Sequence, residues 1–141
     1  MQRGRRIAFD YGDVRIGVAV CDPDGILSSP VSTLNTGDSK LSVKILQLFA
    51  EYEPIRIYVG KPSHMDGRDS QSSVKANEFA RMLEELTNSP VELIDERLST
   101  VTATKNMQDS GVKAKDARAS IDQAAAVAIL NFALEIEKQR R

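Results

Sequence analysis

The chain has 141 residues, of which 41% are hydrophobic and 28% are charged, and its formal net charge is −1. This length and composition predict a single soluble domain over residues 1–141. No apolar run reaches the roughly 18 residues that a membrane span needs, and the run behind the N-terminal arginines is too short for a signal peptide. The single cysteine, Cys21, allows no internal disulfide, so we expect a cytoplasmic protein.

Residues 7–22 predict a β-hairpin, because two apolar runs flank a turn at Gly12 and Asp13. A third strand is expected over residues 26–34, and Pro30 within it favours an edge position. The three strands together predict an antiparallel meander.

The rest of the chain is expected to alternate helices with strands. A strand that is reached through a helical crossover is expected to run parallel to an earlier strand. Ser120 and Gln123 match a capping box, which predicts that the last helix begins there, after a basic loop at 112–119. The predicted elements are a helix capped by Asp38 and ended by Pro54, a strand at 55–59, a helix at 71–87, a strand at 91–95, a short helix from Ser99 or Thr100 to Gly111, and a helix from Ser120 to about Lys138.

This order of elements predicts an α/β fold with one five-stranded mixed sheet, strand order 3-2-1-4-5, and helices packed on its faces. Ligands of such sheets bind beyond the carboxyl ends of the parallel strands, where the strand order reverses. The residues at those ends are Asp10, Gly60 and the pair Asp95 and Glu96.

Asp10 ends a buried strand, which is an unfavourable place for an acid unless a partner compensates its charge. A cation is one candidate, and hydrogen bonds from turn amides are the other. Asp95 and Glu96 are neighbours in a strand, so only one of them can point towards Asp10. Arg97 could pair with the other.

Asp122 lies at the edge of the inward face of the last predicted helix. Two interpretations remain open for it. It can join Asp10 and one strand-five acid, or it can be an acid that the helix dipole favours in a first turn, by about 0.3–1 kcal/mol.

Taken together, three carboxylates from distant parts of the chain can converge on one site. Oxygen ligands suit Mg²⁺ or Mn²⁺, and two such ions can promote phosphodiester cleavage. No Walker A motif, dinucleotide fingerprint or zinc-ligand spacing competes with this interpretation.

Four segments of the chain form a recognisable set: Phe9-Asp10-Tyr11-Gly12 with Arg15-Ile16-Gly17-Val18-Ala19; Val59-Gly60-Lys61-Pro62 with Met65-Asp66-Gly67; Asp95-Glu96-Arg97-Leu98-Ser99-Thr100; and Ile121-Asp122-Gln123-Ala124-Ala125 with Ile129-Leu130. Together they resemble the YqgF/RuvX family of proteins similar to Holliday junction resolvases. The resemblance implies an RNase H-like fold and a cytoplasmic, metal-dependent nuclease, a hydrolase acting on ester bonds. It implies that the substrate is the 5′ end of precursor 16S ribosomal RNA, branched DNA such as a Holliday junction, or both. The catalytic metal ligands that it implies are Asp10, Glu96 and Asp122, with Asp95 as the alternative to Glu96.

Basic residues in or beside these segments are candidates for phosphate contacts, with solvated surface as the alternative. We expect the protein to bind nucleic acid and no membrane, as a monomer or homodimer. Lys61 and Cys21 depart from the residues usual in the family, which are apolar and serine. The candidates for nucleic-acid binding are Arg15, Lys61, Arg68, Arg97, Lys113, Lys115 and Arg118.

Two other functions compete. A non-catalytic nucleic-acid-binding or ribosome-assembly factor on the same fold is the main alternative. A sugar-kinase-like ATPase is ranked last, because the chain is too short for a two-lobed enzyme.

Overall fold

The structure, a computed structural model, describes residues 1–61, 71–96 and 114–140, with the side chains of residues 71–72 and 114–120 left out of the description. It confirms the predicted five-stranded mixed sheet, in the order β3-β2-β1-β4-β5. In the described part of the chain the elements are β1 (Arg6–Tyr11), β2 (Arg15–Cys21), β3 (Ser28–Asn35), α1 (Leu41–Tyr52), β4 (Arg56–Lys61), α2 (Gln71–Leu86), β5 (Val91–Asp95) and α3 (Ala114–Gln139).

The pairing of the strands follows the predicted topology. β1, β2 and β3 form an antiparallel meander, while β4 is parallel to both β1 and β5. Pro30 lies on β3, at the edge of the sheet, where its missing N–H removes no interior ladder bond.

Alternation along the strands gives the sheet two apolar faces. On β1, Ile7 and Phe9 point to the face that α1 and α2 cover. Ala8 points to the opposite face, which α3 covers. The second face is built largely from small side chains, so α3 lies close to the sheet. Those small residues are Ala8, Ala19, Cys21, Ala125, Ala126 and Ala133.

A buried ion pair fixes the C-terminal part of α3 at the start of β1. Arg6 is fully buried and pairs with Glu137, with Nη2 2.9 Å from Oε1. The hydroxyl of Tyr58 donates a hydrogen bond of 2.6 Å to the same carboxylate. Burial raises the pKa of Tyr58, and the contact with Glu137 raises it further. For Glu137, burial acts to raise the pKa, but hydrogen bonds from Arg6 and Tyr58 outweigh it and the pKa is lowered.

Two predicted helix starts are wrong. α3 begins at Ala114, so part of the predicted basic loop is helical and Ser120 is not a cap. The preceding residues are mostly alanine, lysine and arginine, whose high helix propensity extends the helix past the capping-box pattern. Lys40, and not Asp38, occupies the N-cap position of α1. The carboxylate of Asp38 accepts a hydrogen bond from the backbone N–H of Lys40.

The short helix predicted up to Gly111 lies outside the described residues. Within the described residues, no helix has the length and apolar character that crossing a membrane requires.

Candidate active site

Asp10 lies between two glycines that are in register with it on the neighbouring strands. Its partner on β2 is Gly17, and its partner on β4 is Gly60. Asp10 is only 2% exposed. Because neither glycine carries a side chain, groups from α3 and from the end of β5 approach the sheet on both sides of Asp10.

Glu96 is the group that approaches at Gly60. A Cβ atom added to Gly60 would lie 3.2 Å from Oε1 of Glu96, so the carboxylate reaches over this glycine. Glu96 is 9% exposed. Gly60 lies on β4, and Asp10 is its partner on the adjacent strand β1, about 4.8 Å away. Because Glu96 reaches over Gly60, Glu96 and Asp10 are close neighbours on the α3 face of the sheet.

Asp95 points the other way. The residue before it, Ile94, packs in the cluster on the α3 face, so alternation directs Asp95 to the opposite face. Its register partner there is Lys61, at the end of β4. Of the two acids left open by the sequence, the structure therefore brings Glu96 to Asp10.

Asp122 is placed on the other side of Asp10, where α3 crosses Gly17. A Cβ atom on Gly17 would lie 2.0 Å from the main-chain oxygen of Asp122, so helix and strand are in direct backbone contact. The carboxylate of Asp122 accepts a hydrogen bond of 2.7 Å from Nε of Arg15. The two side chains are 14% and 31% exposed.

The helix-dipole interpretation of Asp122 loses its basis. α3 begins at Ala114, so Asp122 lies more than two turns inside the helix. The dipole effect is confined to about the first turn. Asp122 is therefore an acid in the middle of a helix, held against the sheet by an arginine.

The donor chemistry fits a hard divalent cation in part. Asp10 and Glu96 offer buried carboxylate oxygens on one face, and such ligands suit Mg²⁺ or Mn²⁺. Within the described ranges, however, no group of three or more histidine, cysteine, aspartate or glutamate side chains is arranged to hold a metal. The third expected ligand, Asp122, faces Arg15 instead.

Comparison with known proteins decides the family. A family model described as "RuvX: Holliday junction resolvase" matches residues 4–136. The chain belongs to the RuvX family. This membership confirms the resemblance predicted from the four sequence segments. It also confirms, at the level of the family, the predicted enzyme class of hydrolases acting on ester bonds.

Relatives from two Streptomyces species match almost the whole chain. A protein of Streptomyces coelicolor, named "Putative pre-16S rRNA nuclease", is 50% identical over 98% of this chain and 84% of its own length. A protein of Streptomyces avermitilis with the same name is 50% identical over 98% of this chain and 90% of its own length. The solved structure of Thermus thermophilus RuvC in complex with a Holliday junction substrate superposes with a TM-score of 0.56. At 13% identity over 96% of each chain, that likeness confirms the RNase H-like fold alone.

The candidate phosphate contacts are described only in part. Arg15 lies on the α3 face against Asp122, and Lys61 lies on the opposite face beside Asp95. Arg68, Arg97 and Lys113 lie outside the described residues. Lys115 and Arg118 belong to α3, and their side chains lie outside the description. Phosphate binding by these residues stays a prediction.

The role of the two glycines beside Asp10 was missed in the sequence. From the sequence, Gly17 is noted only within a family segment, and Gly60 only within a family segment and at a strand end. Glycine inside a strand, however, often marks a close approach of another backbone. That rule applied to the two strands would have indicated where α3 and Glu96 meet the sheet.

Proposed function

We propose that the protein is a metal-dependent nuclease that cleaves phosphodiester bonds in structured nucleic acid. The observation that carries this proposal is a pair of buried carboxylates beside Gly60 of β4. Asp10 is its register partner on β1, and the carboxylate of Glu96 reaches over it from the end of β5. They lie at the carboxyl ends of parallel strands, where ligands of such sheets bind. The names of the relatives support the 5′ end of precursor 16S ribosomal RNA as the substrate. The family description supports branched DNA.

The proposed roles of the residues follow from their chemistry. Asp10 and Glu96 hold Mg²⁺ or Mn²⁺, and Asp122 is the third ligand. When bound, such a cation makes water a better nucleophile and stabilises the leaving oxygen of a phosphodiester. Arg15 binds a phosphate group of the substrate through its planar guanidinium, which suits bidentate contacts with phosphate oxygens.

The test compares isosteric variants of three acids. Asp10→Asn and Glu96→Gln keep the size of each side chain and remove its charge, and each is expected to lower cleavage by about 100-fold or more. Asp95→Asn is the matched control, because it changes the adjacent acid on the opposite face and is expected to keep most of the activity. Cleavage is measured with Mg²⁺ and with Mn²⁺, on a precursor 16S RNA fragment and on a DNA four-way junction.

Three results would contradict the proposal in different ways. Full cleavage by Asp10→Asn, or by the wild-type protein in EDTA, would exclude a metal site at Asp10. Loss of cleavage in Asp95→Asn with normal activity in Glu96→Gln would reverse the assignment of the faces. Tight, salt-dependent binding of either nucleic acid without cleavage would favour the alternative function, a non-catalytic nucleic-acid-binding or ribosome-assembly factor.

A further inference from the structure

The contact between Arg15 and Asp122 uses little of the arginine. Nε donates to Oδ2 of Asp122, and within the described residues this is the only ion pair of Arg15. A guanidinium has five N–H donors, so most of its hydrogen-bonding capacity is not used by Asp122. With nearly a third of the side chain exposed, Arg15 is open to a ligand that arrives from solvent.

The main chain of Asp122, by contrast, lies directly against the sheet. Its carbonyl group packs directly on Gly17, which is the register partner of Asp10. Asp122 is therefore held one strand away from Asp10 while its carboxylate faces Arg15. The change of partner that the inference below requires is therefore a rotation of the Asp122 side chain rather than a movement of the helix.

Each member of this ion pair can exchange its partner for a ligand. A divalent cation at Asp10 and Glu96 attracts the carboxylate of Asp122, and a phosphate attracts the guanidinium of Arg15. Either ligand alone separates the pair and leaves one of its members uncompensated. When both bind, each member gains a new partner, so the two binding events favour each other reciprocally.

We infer that Arg15 couples the binding of a substrate phosphate to the completion of the metal site at Asp122. The inference rests on the proposed function, because it assumes the cation site at Asp10 and Glu96. It assigns Arg15 a positioning role: in the absence of ligands it holds the third carboxylate away from the metal.

The first test measures two affinities of Arg15→Gln separately. The Mn²⁺ affinity of the protein without nucleic acid is expected to rise about fivefold, which corresponds to about 1 kcal/mol. The affinity for a DNA four-way junction in EDTA is expected to fall. These opposite signs distinguish the coupling role from a structural one, because a variant that merely loosens the fold weakens both. Arg15→Lys keeps the positive charge but not the planar fork, so it is expected to bind Mn²⁺ within about twofold of wild type.

A matched control separates the ion pair from long-range charge. Lys75 lies 3.5 Å from Asp13, in the turn that follows β1, so Lys75→Gln removes a positive charge at the same end of the sheet without touching Asp122. It is expected to leave the Mn²⁺ affinity unchanged. In an Asp122→Asn background, Arg15→Gln is likewise expected to have no effect on Mn²⁺ affinity, because its target carboxylate is absent.

The outcomes separate this inference from the proposed function. If the wild-type protein binds Mn²⁺ and cleaves, but Arg15→Gln leaves Mn²⁺ affinity unchanged or lowers it, the coupling role is wrong and the nuclease stands. An equal gain in Lys75→Gln, or in the Asp122→Asn background, also overturns the coupling role. If the wild-type protein binds no Mn²⁺ and its cleavage persists in EDTA, the proposed metal site is wrong and the inference fails with it.

Discussion

Replacing Gly17 with alanine perturbs the point where α3 meets the sheet. The added Cβ atom would lie 2.0 Å from the carbonyl oxygen and 2.4 Å from the carbonyl carbon of Asp122. Both atoms belong to the backbone of a helix, so no flexible side chain can turn away to relieve the overlap. The helix must move outwards at this position, and Asp122 must move with it.

The structure sets the size of the effect. Bringing the Cβ atom to 3.0 Å, below which real contacts are essentially absent, requires a shift of α3 by about 1 Å. Overpacking of this kind costs about 1–3 kcal/mol, and we expect about 3 kcal/mol because the obstacle is main chain. For a domain of this size that loss corresponds to a fall in melting temperature of about 10 °C.

Two other glycines calibrate the measurement. Gly37→Ala has nothing within 4 Å of the added atom and is expected to be neutral or slightly stabilising. Gly60→Ala meets Cδ1 of Ile129 at 2.3 Å and Glu96 at 3.2 Å, both side-chain atoms, so we expect an intermediate loss of stability. Thermal melting of the three variants, with cleavage measured alongside, tests this order. A Gly17→Ala protein that melts with wild type and cleaves normally would refute the close contact.

The buried network at the other end of α3 gives two pH-dependent predictions. Glu137→Gln leaves the charge of fully buried Arg6 without its partner, so urea unfolding at pH 7 is expected to show a loss of about 3–5 kcal/mol. Because the folded-state pKa of Glu137 is lowered, its stabilisation is complete above about pH 4.5 and is lost on acidification; the variant should lack this acid-dependent loss. The pKa of Tyr58 is raised, so its contribution is complete below about pH 10 and is lost as the pH rises. Tyr58→Phe should flatten that alkaline decline in unfolding experiments, and an unchanged decline would contradict the assignment.

Much of the fold could be predicted because local patterns determine it. Helical periodicity and the crossover rule place β4 and β5 on the other side of β1 from the meander, and the structure confirms that order. The predicted start of α3 at Ser120 is wrong because two local patterns disagree there. The capping-box pattern indicates a helix start, while the helix propensity of the residues before it favours continuation.

The arrangement of the site could be predicted only in part, since it depends on contacts between distant residues. An acid at the end of a buried strand identifies Asp10 from the sequence alone. The choice between Asp95 and Glu96 requires knowing which face α3 covers, and the position of Ile94 supplies that information. The pairing of Asp122 with Arg15 joins residues 107 positions apart, and no local pattern reports such a contact.

Two arginines from the start of neighbouring strands bind acids on α3, and burial gives the two pairs different roles. Arg6 is fully buried and donates to Glu137 and to the carbonyl oxygens of Gly4 and Gln2, so its donors are used within the protein. Arg15 is partly exposed and donates to Asp122 through Nε. A ligand is not expected to displace Glu137 from Arg6, because separating a buried ion pair leaves an uncompensated charge. A phosphate that approaches Arg15 meets a guanidinium that is partly exposed and whose other donors are not used by Asp122. The buried pair of Arg6 and Glu137 therefore fixes the C-terminal part of α3. The partly exposed pair of Arg15 and Asp122 is a contact that a ligand can exchange, one strand away from Asp10.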